Sequence, residues 1–205
     1  MLACLVACGG DPVGGGACDA GARDAGATTQ LFDGSDLAGW DGDPAIWSVA
    51  GGAIVGNGST DHNTFLIFNG RTFGDFTLHA QVKIDSGGNS GIQFRSTVLD
   101  PAQFVVGGYQ FEVLDGHWGE LYEEALGRNL LQPSTCGAAE HDGDWNDVDI
   151  TAIGCHIEQR LNGVVCAEFG EDDASRPHDG VVAIQYHHPG GFQLEVRDIS
   201  VTELF

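Results

Sequence analysis

The feature of this sequence that most limits its fold is a series of short segments in which apolar and polar residues alternate. One of them, Phe76–Ile84, has apolar residues at every second position, namely Phe76, Leu78, Ala80, Val82 and Ile84. Because successive side chains of a β-strand point to opposite faces, this spacing predicts a strand with one buried face. A helical pattern of useful length is absent, and only residues 118–131 offer room for a helical turn or two.

Further alternating runs follow, each bounded by turn residues. They include residues 91–95, 109–114, 148–152, 155–161, 164–169, 181–186 and 192–201. Asn162-Gly163 separates two of them, and this dipeptide between alternating runs is a strong signal of a β-hairpin. Ten or more short strands predict an all-β, two-sheet sandwich. One face of each sheet fills the core, so the other face of one sheet is free to carry polar residues for a ligand.

Length and charge agree with one domain of this kind. The chain has 205 residues, of which 42% are hydrophobic and 32 are glycine, and the roughly 175 residues beyond the N-terminal segment are enough for a sizeable core. Asp and Glu number 30 against 8 Lys and Arg, for a formal net charge of −22. Nucleic acid is therefore not an expected partner, because phosphate binding needs a basic face. The charge favours solubility, or it places carboxylates for a divalent cation such as Ca²⁺.

The N-terminal residues indicate export. Leu5-Val6-Ala7-Cys8 is similar to the lipobox of bacterial lipoproteins, in which the cysteine is acylated, and residues 9–29 have the composition of a flexible tether. We expect residues 1–30 to be signal and tether, residues 31–205 to be the folded domain, and Cys8 to be the lipidation site in a bacterial cell envelope. The apolar run is too short for a full signal, so the true start would lie upstream; the alternative is a cytosolic protein. No other segment approaches the ~18 apolar residues of a transmembrane helix.

The remaining cysteines predict disulfides. They are Cys18, Cys136, Cys155 and Cys166, and their spacing fits no zinc motif. In an exported protein disulfides are the default. If Asn162-Gly163 is a two-residue turn, Cys166 faces Gln159, which leaves Cys155 too far out of register for a direct bridge to Cys166. A bridge from Cys136 to one of these two is favoured, but the sequence does not decide the pairing.

Three runs carry polar side chains that a plain strand would not need: residues 88–95, 108–115 and 185–191. If Arg95, Gln110, Glu112 and Gln185 share the outer face of one sheet, they form a row of donors and acceptors of the kind that binds sugars. Candidate aromatic platforms for a sugar ring are Trp40, Trp47, Trp118, Tyr109, Tyr122 and Tyr186.

Simpler interpretations exist for several of these residues. Arg95 opposite Glu112 would be an ordinary cross-strand ion pair, worth under about 1 kcal/mol. His187-His188 would be part of a plain loop, and Trp47 and Trp145 would be core residues. Protease, serine-esterase and nucleotide-binding motifs are absent, so those functions have no support.

Several motifs, in this order, resemble the 3-keto-disaccharide hydrolase domain family, whose members have a jelly-roll sandwich of the concanavalin A-like lectin/glucanase type. Residues 31–40, LFDGSDLAGW, are similar to the family's opening LFNGKDLSGW, and residues 88–92 are its GNSGI. Residues 108–115 resemble GYEVQILD, residues 144–146 resemble EWN, and residues 161–164 are LNGV. The segments 180–187 and 196–199 resemble the closing GYIGLQLH and VRFRNI, so the resemblance runs from Leu31 to Leu204.

The resemblance implies cleavage of glycosides whose sugar carries a ketone at carbon 3. The ketone acidifies the C2–H, so a base can remove that proton, an enolate forms, the C1 substituent leaves by elimination, and water adds back. By motif, Asn89 and Arg95 would position the sugar or stabilise the oxyanion. Glu112 and Asp115 would act as base or metal ligands, with His187 as a second base or ligand. Gln110, Tyr109, Gln185 and Trp118 complete the predicted substrate-binding set; no cofactor is certain, and the divalent cation stays an alternative.

One departure from the family pattern concerns the carboxylate. The family usually has Glu directly after the Tyr and Gln two residues later, whereas this chain has Gln110 and then Glu112. Both lie on one strand face, but the carboxylate moves by about 7 Å along the strand. The resemblance as a whole implies an exported enzyme acting on 3-keto-glycosides, whereas the displaced carboxylate favours the first of two alternatives. The alternatives are a non-catalytic carbohydrate-binding lipoprotein that uses the same concave face and a surface scaffold with an inactive site. A membrane would be contacted only through the lipid anchor, and the oligomeric state is left open.

Overall fold

The computed structural model describes Gly21 and residues 23–205. In chain order its strands are β1 Ala25–Gln30, β2 Trp40–Asp41, β3 Trp47–Ala50, β4 Ala53–Ser59, β5 Thr64–Phe68, β6 Phe76–Ile84, β7 Asn89–Asp100, β8 Val105–Leu114, β9 Leu121–Glu124, β10 Asn129–Gln132, β11 Asn146–Ile153, β12 His156–Leu161, β13 Val164–Gly170, β14 Val181–Tyr186 and β15 Gly190–Leu204. Gly137–Ala139 forms a 3₁₀ turn, and the described residues contain no α-helix. The helical turn allowed for residues 118–131 is wrong, because this region forms β9 and β10.

The strands form two antiparallel sheets. The first sheet has the order β13-β12-β11-β6-β15-β4-β3, with β1 added along β15, and the second sheet has the order β10-β9-β8-β7-β14-β5-β2. This arrangement confirms the predicted all-β sandwich. Strand β1 lies ahead of the expected domain start at Leu31 and pairs with β15. Cys8 and Cys18 lie outside the described residues. In the part of the chain that the structure describes, no helix has the length and apolar character needed to cross a membrane.

Strand β6 shows how the alternating pattern builds the core. Its five apolar residues are buried, while the residues between them are exposed or half-buried. Ile92 and Phe94 of β7 and Phe111 and Val113 of β8 are buried in the same core, from the second sheet. Burying a side chain of this size contributes roughly 1.5–3 kcal/mol, so the facing apolar sets hold the sheets together.

The Asn162-Gly163 turn is confirmed. Both residues have positive φ, 51° and 80°, as a type I′ hairpin turn requires. Leu161 pairs with Val164, but a β-bulge then places Gln159 opposite Ala167. Cys166 therefore does not face Gln159 as predicted.

The disulfide favoured from the sequence is present. Cys166 is buried and forms a disulfide with Cys136 across a sequence separation of 30 residues. This confirms that Cys136 pairs with one of the two hairpin cysteines. Cys155 is also disulfide-bonded.

Candidate functional site

A pocket of ≈ 300 Å³ opens on the outer face of the second sheet. Strand β8 contributes Gln110, Glu112 and Leu114, which point away from the core because they alternate with the buried Tyr109, Phe111 and Val113. Pairing of β8 with β7 places Gly91 opposite Glu112, and pairing with β9 places Tyr122 opposite Gln110. Three neighbouring strands thus bring polar side chains to one place.

The structure brings five of the predicted site residues together in this pocket. They are Asn89, Gln110, Glu112, Gln185 and His187. Gln110 and Glu112 lie on one face of β8, as their spacing of two predicts, and they contact each other directly. The exchange of Glu and Gln relative to the family pattern therefore exchanges two members of one hydrogen-bonded pair.

Other residues of the pocket were missed by the sequence analysis. His117 and Glu120 precede β9, Glu124 ends it, and Asn63 precedes β5. Tyr122, one of the candidate aromatic platforms, also lines the pocket. Leu121 and Glu123 alternate with Tyr122 and Glu124, as in a strand with two different faces. A run of four residues is too short to predict a strand from this alternation.

Glu112 is the most unusual side chain in the pocket. It is 8% exposed, and the amide of Gln110 donates a 2.8 Å hydrogen bond from Nε2 to its Oε2. Burial raises the pKa of Glu112 to about 7; the hydrogen bond from Gln110 opposes this, and the nearby charges of Glu124 and Glu120 add to it. Both protonation states are therefore populated near neutral pH, which suits a group that accepts or gives a proton.

The groups around Glu112 are mostly acidic or neutral. Asn63 donates from Nδ2 to Glu124 Oε1 at 3.1 Å, and Nδ1 of His117 lies 3.0 Å from Glu120 Oε1. Burial raises the pKa of Tyr122, with help from the charges of Glu124 and Glu112. Within residues 23–205, no group of three or more His, Cys, Asp or Glu is placed to hold a metal ion.

Two polar atoms of the pocket walls have no hydrogen-bond partner among residues 23–205. These are Gln185 Nε2 and Asn89 Oδ1, and both are buried. An unsatisfied buried polar atom costs about 1–3 kcal/mol, so its presence needs an explanation. Both side chains belong to the lining of the polar pocket.

Arg95 does not share the outer face with Glu112, so both its predicted role at the pocket and the alternative ion pair are wrong. A β-bulge after Phe94 and a φ of 45° at Arg95 turn its side chain away. The guanidinium is 1% exposed and donates to Gly74 O, Gly154 O and Asp75 Oδ1, at 3.0, 2.6 and 2.9 Å. Arg95 therefore joins β7 to the end of the first sheet.

Tyr109 is also placed outside the pocket. It stacks on Phe94 in the core, and its hydroxyl donates to Glu171 Oε2 at 2.7 Å. Arg128 reaches the same carboxylate and also binds Glu123, the core-facing side chain of β9. We call Arg128, Glu123, Glu171 and Tyr109 the β9 clamp, because it fixes the back of the strand whose front carries Tyr122 and Glu124.

Most of the other predicted site residues are also placed elsewhere. Trp118 is 2% exposed and lies in the core. Asp115 accepts hydrogen bonds from Gly87 N and Ser86 Oγ and borders a separate depression beside Glu140. The candidate platforms Trp40, Trp47 and Tyr186 are buried, which confirms the core interpretation for Trp47. The core interpretation is wrong for Trp145, which is half-exposed with the guanidinium of Arg197 3.9 Å above its ring.

The two-sheet sandwich is a fold of the lectin/glucanase type, and it carries a polar pocket on its outer face. The chain belongs to the family of the 3-keto-alpha-glucoside-1,2-lyase-like domain, whose model matches residues 27–202. This confirms the resemblance found in the sequence. No curated protein matches the chain.

Solved structures share the fold at low sequence identity. A candidate glycosyl hydrolase from Parabacteroides distasonis is 20% identical, with a TM-score of 0.65, over 87% of this chain and 94% of that one. The carbohydrate-binding module CBM66 from Bacillus subtilis is 14% identical, with a TM-score of 0.62, over 79% and 94%. A protein with a galectin-like fold from Bacillus subtilis is 12% identical, with a TM-score of 0.67, over 89% of this chain and 98% of that one. These likenesses show the fold alone.

Proposed function

We propose that this chain cleaves glycosides that carry a ketone at carbon 3 of the sugar, in the pocket beside Glu112. Family membership supports the substrate class. The observation that carries the proposal is the buried carboxyl group of Glu112, whose pKa of about 7 is set by desolvation at a pocket wall. Removal of a proton from carbon next to a ketone needs such a base, active near neutral pH.

In the proposed reaction the ionised carboxylate of Glu112 takes the proton from C2. The electrons of the C2–H bond form a C2–C3 double bond, and the ketone becomes an enolate. When the enolate re-forms the carbonyl, a C1–C2 double bond forms and the C1–O bond breaks. The leaving oxygen takes the electron pair and gains a proton from an acid of the pocket, for which His117 and His187 are the imidazoles present. Addition of water across the new double bond then gives the free 3-keto sugar.

The remaining pocket residues fit an uncharged sugar. Asn89 Oδ1 can accept and Gln185 Nε2 can donate a hydrogen bond, and neither has a protein partner. Tyr122 provides an aromatic side chain at the wall. The carboxylates of Glu112, Glu120 and Glu124 repel anionic sugars such as uronates, so neutral glycosides are the expected substrates.

The test is release of the C1 substituent from a panel of 3-keto-glucosides and their unoxidised parents by the full chain. We expect release from the keto compounds alone. Glu112→Gln should lower the rate by roughly 10²–10⁴-fold, the usual contribution of general acid–base catalysis. Glu168→Gln is the matched control, because Glu168 is exposed on β13 of the other sheet. Equal turnover by the Glu112→Gln and Glu168→Gln variants would overturn the role of Glu112.

One observation favours a second candidate, carbohydrate binding without cleavage. Among the described residues that line the pocket there is neither Lys nor Arg, and Arg95 is held elsewhere, so these residues offer an enolate oxygen no cationic side chain. A binding protein needs hydrogen-bond partners and an aromatic wall but no base. Thermal stabilisation of the chain by sugars, with no release from any keto compound, would support this candidate and overturn cleavage.

A further inference from the structure

Behind Glu112 lies a line of buried polar side chains that the proposed reaction does not use. Ser96 is 2% exposed, Gln93 0% and Gln110 1%. Ser96 Oγ donates to Gln93 Oε1 at 2.6 Å, and Gln93 Nε2 donates to Gln110 Oε1 at 2.6 Å. Gln110 Nε2 then donates to Glu112 Oε2 at 2.8 Å. We call Ser96, Gln93 and Gln110 the glutamine chain.

Strand register and two glycines make room for this line. Gln93 stands opposite Gln110 on the outer face of the second sheet, and the bulge after Phe94 brings Ser96 within reach of Gln93. A Cβ at Gly91 would lie 2.3 Å from Cδ of Gln110, and a Cβ at Gly108 would lie 2.3 Å from Oγ of Ser96. Any larger residue at either position would therefore displace one end of the chain of hydrogen bonds.

Donor and acceptor chemistry fixes the direction of these bonds. An ionised carboxylate only accepts, so Gln110 must present Nε2 to Glu112 and its carbonyl to Gln93. Gln93 must then present its own Nε2 to Gln110, which leaves its carbonyl facing Ser96. A serine hydroxyl can donate, and it does so here. Each amide orientation is thus determined by the next residue, and the hydroxyl of Ser96 closes the series.

We propose that the glutamine chain is a one-way hydrogen-bond relay that keeps the donating amide of Gln110 against the carboxylate of Glu112, so that Gln93 and Ser96 are positioning residues for the base. The inference rests on the proposed function only in calling Glu112 the base. Without the relay, the amide of Gln110 is oriented mainly by the long 3.4 Å contact of its Nε2 with Gln185 Oε1, which is too weak to prevent Gln110 from turning over and offering its carbonyl to Glu112. A carbonyl accepts a hydrogen bond only from the protonated acid, so loss of the relay favours the protonated form.

The other titratable groups that face Glu112 stay in place when the relay is cut. Tyr122 and Glu124 lie on β9, and Glu120 immediately precedes it. The others are His117 in the turn after β8 and His187 after β14. On β7 the neighbours of Glu112 are Asn89 and Gly91, which do not titrate. A change in the titration of Glu112 on mutation of Gln93 therefore has Gln110 as its route.

The experiment follows the Glu112 carboxyl carbon by NMR through a pH titration of the full chain, which needs no turnover. Gln93→Met removes the amide at similar volume, and Ser96→Ala removes the terminal hydroxyl. We expect the Glu112 midpoint to rise by roughly half a pH unit or more in Gln93→Met, and by less in Ser96→Ala. Ser90→Ala is the control, because Ser90 is a buried hydroxyl of the same strand that donates to Gln185 O instead. It should leave the midpoint unchanged.

A double-mutant cycle separates the relay from general loosening of the site. In a Gln110→Met background, Gln93→Met should add nothing to the midpoint, because its route to Glu112 is gone. An unchanged midpoint in folded Gln93→Met, or an equal rise with and without Gln110, would overturn the relay. If Gln93→Met does not fold, Ser96→Ala in the same cycle decides. A raised midpoint in a chain that releases nothing from keto-glycosides supports the relay and counts against the proposed function alone.

Discussion

The guanidinium of Arg95 donates a 2.9 Å hydrogen bond to the carboxylate of Asp75, and Asp75 accepts a second bond from the backbone of Gly154 at 2.8 Å. Arg95 belongs to β7 of the second sheet, whereas Asp75 and Gly154 lie at the ends of strands of the first sheet. One buried cation therefore ties the two sheets together at one end of the sandwich, away from the pocket.

Loss of this contact should reduce stability without changing the pocket. Arg95→Met removes the guanidinium from Asp75 and from the carbonyls of Gly74 and Gly154, while Asp75 keeps its contacts with Gly154 N and Arg23. Breaking a buried ion pair costs about 3–5 kcal/mol, and we expect a loss toward the lower end because the Asp75 side chain is 26% exposed. The measurement is urea unfolding, with sugar affinity determined under folding conditions. Arg160→Met is the control, since the side chain of Arg160 is 41% exposed in a surface pair with Glu158 and should cost under about 1 kcal/mol. A weakened sugar affinity in folded Arg95→Met would contradict this placement.

Glu112 should destabilise the fold at neutral pH. Its pKa is about 7 in the folded chain against an ordinary value of 4.5, so the folded state holds the proton more tightly. Between these two pH values the unfolded chain loses the proton first, and stability falls as pH rises. The full effect is about 3 kcal/mol above pH 7. Glu112→Gln should therefore be the more stable protein at pH 8, with the difference vanishing below pH 4.5. Equal stability of the two proteins at pH 8 would show that Glu112 is not desolvated.

Activity should depend on the same carboxyl group, and the ionised form that lowers stability is the form that is active. The base must be ionised to accept a proton, so turnover of a 3-keto-glucoside should rise with pH through about 7 and then level off. The rate is measured at substrate concentrations far below saturation, where it reports the free protein. A flat profile from pH 5 to 9 would exclude Glu112 as the proton acceptor.

The Cys136–Cys166 disulfide should stabilise the chain by restricting its unfolded state. It closes a loop with a sequence separation of 30 residues, for which about 2–4 kcal/mol is usual. Replacing both cysteines by alanine should lower the denaturant midpoint by a corresponding amount. A reducing agent should lower the denaturant midpoint of the native chain by more than that of the double variant, because the double variant lacks the Cys136–Cys166 bridge.

The β9 clamp should hold the pocket wall from behind. Arg128 lies between the carboxylates of Glu123 and Glu171, which are 1% and 6% exposed. Arg128→Met would remove the cation that both carboxylates share and leave Glu123 with its longer 3.6 Å contact to Arg176, at a cost of up to about 3–5 kcal/mol. In the Arg128→Met variant, amide hydrogen exchange should accelerate more in Leu121–Glu124 than in β6, each compared with the native chain. Uniform exchange changes across both sheets would contradict a local clamp.

The parts of the fold that follow from local chemistry were predictable from the sequence. The alternation in β6, the Asn162-Gly163 turn and the shared face of Gln110 and Glu112 all depend on neighbours in the chain. Arg95 was misplaced because a bulge interrupts the alternation, and nothing local to its sequence marks the bulge. Tyr109 and Trp118 were misplaced because a large ring gains more from the core than from a polar surface. Glu120 and Glu124 were missed because their strand is only four residues long.

Strand β1 has a practical consequence for the choice of fragment. It covers the second half of β15 through the pairs Gln30 with Ser200, Thr29 with Val201 and Thr28 with Thr202. A fragment that starts at Leu31 would expose this row of backbone N–H and C=O groups, with Val201 in the middle. Uncovered sheet edges recruit strands from other molecules. Such a fragment should associate or precipitate, and a loss of sugar binding in it would report self-assembly at β15 and not damage to the pocket.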